Sequence, residues 1–134
     1  MAIFEWSSEY AIGEPEIDAQ HQEWFRRVQG VFEAIENGGL PEAVEALEFA
    51  ESYTNSHFRL EELMLRSARF DGLDEHVAQH RGFGEAVKAL LLAARSGDAA
   101  APLSAAQMMS KWIVNHIKRS DRSYAEWIAL HHGE

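Results

Sequence analysis

Apolar side chains recur at steps of three and four residues through four segments of this chain, a regularity that leaves helices as the only economical reading. The first segment runs from Asp18, a candidate N-cap, through Trp24, Phe25, Val28, Val31, Phe32 and Ile35 to Gly38-Gly39. Pro41 opens the second, which passes Leu47, Ala50, Tyr53, Leu60 and Met64 and ends between Arg66 and Arg69; Glu42 and Glu45 suit the dipole of its first turn. The third follows Asp71-Gly72, carries Leu73, Val77, Phe83, Val87, Leu90, Leu91 and Ala94, and stops at Ser96-Gly97-Asp98. Beyond a small-residue linker, DAAAP, Ser104 and Gln107 have capping-box spacing for a fourth helix with Met108, Met109, Trp112 and Ile113. A short terminal helix past Ser120 carries Tyr124, Trp127 and Leu130, and residues 1–17, with Trp6, Tyr10, Gly13 and Pro15, read as an ordered arm. No alternating β-branched run or hairpin signal interrupts this pattern. The expectation is an all-α, up-down-up-down four-helix bundle forming a single domain over residues 1–134.

Five of the seven histidines fall on the apolar stripes. His21 precedes Trp24 and Phe25 by three and four, His57 follows Tyr53 by four, and His116 follows Trp112 by four. In the third helix the line Leu73, His76, His80, Phe83, Val87, Leu90 and Ala94 holds two histidines at interior positions. Glu61 lies one turn after His57 on the same face. An unpartnered buried carboxylate costs several kcal/mol, and no stripe offers an interior Lys or Arg. A metal ion answers both problems, since imidazole and carboxylate are its ordinary ligands and i, i+4 pairs project together. Asp121, five residues after His116, lies about 140° away on a regular helix. The two reach one centre only if the helix loosens near Ser120. His131 and His132 near the C-terminus read as solvated, and Glu33, Glu36, Glu42 and Glu62 as surface charge.

The absence of cysteine excludes disulfides, thiolate metal sites and cysteine nucleophiles. A net charge of −10 opposes binding to nucleic acid or an anionic membrane, and no stretch has spanning length, so a cytoplasmic protein is expected.

These segments together resemble the bacterial single-domain hemerythrins. The resemblance rests on Trp6, Tyr10 and Gly13, Asp18-x-x-His21, HFRLEELM, HVAQHRGF and WIVNHIKRSDRSY, in that order over nearly the full length. It implies a non-haem di-iron centre, with His76, His80 and His116 on one iron and His21 and His57 on the other. Glu61 and Asp121 would bridge them beside an oxo or hydroxo group, leaving one position, on the two-histidine iron, for O2. It also implies an apolar pocket lining, for which Trp112, Ile113 and Ile117 beside His116 are candidates. Two departures stand out: FDGLDEH lacks the proline that commonly precedes the H-x-x-x-H helix, and Trp24 stands where many relatives carry leucine, narrowing the pocket or its entrance.

The function implied is reversible O2 binding for storage, delivery or sensing, by a monomer that could hand O2 to, or be read by, a partner protein. The alternative is a di-iron enzyme on the same scaffold, an oxidase, peroxidase or nitric-oxide-handling protein. Against it, carboxylate-rich oxygenase sites use Glu-x-x-His on two helices, and no such pair occurs here.

Overall fold

The structure, a computed structural model, describes residues 4–132. Its helices are α1 (Pro15–Asn37), α2 (Leu40–Ser67), α3 (Leu73–Arg95), α4 (Ala101–His116) and α5 (Arg122–His132). A five-residue π turn, Ile117–Asp121, joins α4 to α5 without leaving helical dihedrals, so the two make one long helix. The described residues contain no strand. Short connections force consecutive helices antiparallel, and α1 and α3 each pack against both α2 and α4, giving the expected four-helix bundle.

Two helix starts differ from the expected ones. Helix α1 begins at Pro15, a residue suited to the first turn because its missing N–H needs no partner there. Asp18 is therefore inside the helix, and its carboxylate instead accepts hydrogen bonds from the backbone N–H of Ile12 (2.9 Å) and Gly13 (3.3 Å), tying the arm to α1. Helix α4 begins at Ala101, again with Pro102 in the first turn, so Ser104 is helical and the expected capping box does not form. At α2, Leu40 is the first helical residue and the Glu42 carboxylate reaches back to the Gly39 N–H at 2.8 Å, a cap and not idle surface charge. Past α3, Gly97 takes the left-handed conformation (φ +105°) that glycine adopts without penalty, and the turn closes through Asp98 N–H to Ala93 C=O.

The arm lies against the bundle. Phe4 stacks on Phe25 with ring centroids 4.2 Å apart, Tyr10 packs on the same ring, and Arg122 donates to the Glu9 carbonyl at 2.8 Å. In the core Val28, Leu47, Val87 and Met109 are fully buried, each such side chain contributing about 1.5–3 kcal/mol over exposure. Two apolar positions do not follow their stripe: Leu60 is 53% exposed and Leu130 is 83% exposed. Trp24, Glu61, His21 and His57 are buried to within 1%. They sit near the start of α1 and in the later half of α2, at the end of the bundle where α3 begins and α4 ends.

Candidate metal centre

Four helices bring all seven predicted residues to one buried cluster: His21 from α1, His57 and Glu61 from α2, His76 and His80 from α3, and His116 with Asp121 from α4 and its π turn. The π turn resolves the awkward spacing. A wider turn of five residues carries Asp121 back to the face of His116, and His116 Nε2 lies 3.1 Å from Asp121 Oδ1.

The two carboxylates divide the histidines into a set of three and a set of two. Glu61 Oε1 lies 2.8 Å from His76 Nε2 and 3.0 Å from His80 Nε2, while its other oxygen, Oε2, faces His57 Nε2 at 3.6 Å. Asp121 Oδ1 faces His76 and His116 at 3.3 and 3.1 Å, and its Oδ2 faces His21 at 3.1 Å. Each carboxylate thus presents one oxygen to each set. The donor atoms of Glu61, His76, His80 and His116 lie within 4.8 Å of one another, as do those of His21, His57 and Glu61.

Hydrogen bonding leaves much of this polarity unsatisfied. The Nε2 atoms of His21, His57, His80 and His116 and both Asp121 oxygens are buried without a hydrogen-bond partner, for the short approaches lack hydrogen-bond geometry. Each unsatisfied buried group costs about 1–3 kcal/mol. That so many converge at one place fits a donor set for metal. Nitrogen and oxygen donors of this kind suit iron, manganese or zinc.

The outer ends of two rings are held. His57 Nδ1 bonds Gln20 Oε1 at 2.6 Å and His80 Nδ1 bonds Glu62 Oε2 at 2.8 Å, which turns each Nε2 inward. Glu62 is therefore half-buried beside His80, not the surface neighbour its position suggested. The Tyr124 hydroxyl donates to Glu61 Oε2 at 2.9 Å. Gln20 and Tyr124 were missed as site residues. Their only sequence signals are a Gln next to His21 and a Tyr three residues after Asp121.

Electrostatics follows the packing. Burial pushes the His57 imidazole down to about 4, against the opposing pull of Glu61, so this ring is neutral. Burial also lowers His76, but the Asp121 and Glu61 carboxylates outweigh it and raise this ring to about 9. Burial and Asp121 push Glu61 up, yet the imidazoles of His76, His80 and His57 prevail and hold its carboxyl below the usual range. Tyr124 moves well above its ordinary value through burial and the Glu61 and Asp121 charges, so its phenol keeps its proton.

Aromatic rings wall the cluster. Trp24 is fully buried, 5.1 Å from the His57 ring and 6.2 Å from His21, with its indole N–H donated to Thr54 Oγ1 at 2.7 Å. Phe58 stacks on His80 at 3.7 Å and Trp112 on His116 at 4.2 Å. Ile113 and Ile117 are fully buried. His131 is exposed and stacks on Trp127, away from the cluster; the His132 side chain lies outside the described residues.

Residues 13–128 match the family model described as the hemerythrin HHE cation binding domain. The chain is 27% identical to a bacteriohemerythrin of Stenotrophomonas maltophilia, covering 98% of this chain and 85% of that one. It is 27% identical to a myohemerythrin of Theromyzon tessulatum, covering 90% of each chain. A myohemerythrin of Riftia pachyptila is 29% identical over 89% of this chain and 88% of its own. A solved structure of a leucine-to-phenylalanine mutant shares the fold, with a TM-score of 0.87 at 23% identity, covering 94% of this chain and 97% of the other.

Proposed function

The chain belongs to the hemerythrin family, and from that premise we propose that it binds O2 reversibly at a pair of non-haem irons, as a single hemerythrin-like domain over residues 1–134. In this reading His76, His80 and His116 hold one iron, His21 and His57 hold the other, and Glu61 and Asp121 span both. The observation that carries it is the split of each carboxylate, one oxygen toward three imidazoles and one toward two, among nitrogens with no other partner. When bound, the irons would supply the two electrons that O2 takes up on binding and gives back on release.

The residues around them do the rest. The two-histidine side is short by one donor, so O2 is admitted beside His21 and His57. Trp24 covers that side, and its bond to Thr54 fixes the indole as a wall against water. Tyr124 steadies Glu61 as a hydrogen-bond donor while retaining its proton, which withholds the acid that would turn binding into irreversible reduction. Gln20 and Glu62 keep His57 and His80 aimed inward.

Elemental analysis of the purified protein tests the metal assignment: two irons per chain are expected, and a single zinc would overturn it. His57→Ala should empty the two-histidine side first, whereas Glu61→Ala should lose both irons. Full iron content in either variant would contradict the ligand set.

A further inference from the structure

Helix α2 carries a second regular line that the bundle uses only at Tyr53. Phe49, Tyr53, Ser56, Leu60 and Leu63 follow one another at steps of four and three, the 3.5-residue period of a helix that pairs with another helix. Most of this line faces outward: Phe49 is 56% exposed and Leu60 and Leu63 are each 53% exposed, while Tyr53 is half-buried against the core with the Arg27 guanidinium over its ring. It runs about 21 Å along the helix. Glu45, Ser52, Arg59 and Arg66 are spaced every seven residues along one margin, all exposed. Among the described residues none of Glu45, Arg59 and Arg66 is engaged in an ion pair.

We propose that this face is a homodimer interface in which α2 packs antiparallel on α2 of a second copy of the chain. The margin changes sign along its length. A two-fold axis beside Ser56 sets Phe49 against Leu63 of the second copy and Tyr53 near Leu60 of the second copy. It also sets Glu45 against Arg66, and Ser52 against Arg59, twice each. A parallel pairing would instead set this margin against the opposite one, which carries Ala50, His57 and Met64 and no complementary charge. Self-complementarity of this kind is what an isologous interface requires, and it singles out a second copy over an unrelated partner. A contact of this length is smaller than a standard interface, so the dimer is a reversible one in place of the monomer expected from the sequence. The interface does not depend on the metal centre, and the variants below leave the site residues intact.

Sedimentation equilibrium of the full chain from micromolar to millimolar concentration tests it. The wild type should shift from monomer to dimer across that range. Phe49→Glu, and separately Glu45→Arg or Arg66→Glu, should each weaken the dimer at least about tenfold. Mixing Glu45→Arg with Arg66→Glu places opposite charges together at both ends and should restore wild-type association. Circular dichroism and iron content, unchanged in these variants, exclude misfolding as the cause. A chain that stays monomeric throughout, a dimer indifferent to Phe49→Glu, or a mixture no tighter than its separate components would each overturn the proposal.

Discussion

Glu61 shows how a single residue's place on a stripe can point to a metal. A fully buried carboxylate with no Lys or Arg on the interior stripes demands compensation, and five imidazoles on neighbouring stripes supply the means for a metal to provide it. What could not be read is the set of groups that aim those rings. Gln20 meets His57 from another helix and Glu62 meets His80 across α2 and α3, contacts set by packing and not by any spacing along the chain. Trp24 belongs to the same scale. Trp24→Leu should cost about 2–4 kcal/mol of stability and leave the indole's volume open beside His21 and His57. Azide should then enter faster and the oxygenated protein should autoxidise faster, measured by stopped-flow absorbance; unchanged rates would remove Trp24 from the wall. His76 gives a pH signature to the metal-free protein. Its folded value of about 9 lies above the ordinary 6.5, so its contribution is full below 6.5 and is lost as pH rises through 9. His57, held near 4, stays neutral while the unfolded chain takes up a proton, so stability also falls as pH drops below 6.5. The chelated protein should therefore melt highest near pH 6.5. Iron loading between pH 6.5 and 9 should release a proton from His76, detectable with a pH indicator; uptake without release would contradict this pairing.

At the scale of elements, the helical period located the five α-helices of the described residues, but two helix starts were set by rules that compete with side-chain capping. Pro15 and Pro102 start α1 and α4 because proline fits a first turn, so Asp18 and Ser104, good caps in isolation, fall inside. The π turn is the element that the site most depends on. The spacing of His116 and Asp121 required some loosening of the helix, and Ile117–Asp121 supplies it at that place. Inserting one alanine between Lys118 and Arg119 should rotate Asp121 about a further 100°. Helix content by circular dichroism should persist while iron content drops; full iron content in the insertion variant would show that Asp121 holds no essential place.

On the scale of the whole molecule, one apolar core runs along the bundle and closes around the polar cluster near one end, where Trp24, Phe58, Ile113 and Ile117 belong to both. That core makes the fold stable enough to force imidazoles and carboxylates out of water. Leu60 marks the limit of what periodicity told: it satisfies a helical stripe with His57, yet the neighbours of α2 leave it in solvent, on the outer face that pairs in the proposed dimer. The central claim is that the cluster holds O2 and lets it go. Visible absorption of the iron-loaded protein, recorded through repeated cycles of O2 addition and removal, tests it most directly. The account predicts a band that appears with one O2 per chain, disappears under argon and returns undiminished. A band that bleaches on the first cycle, or an O2 uptake that never reverses, would contradict it.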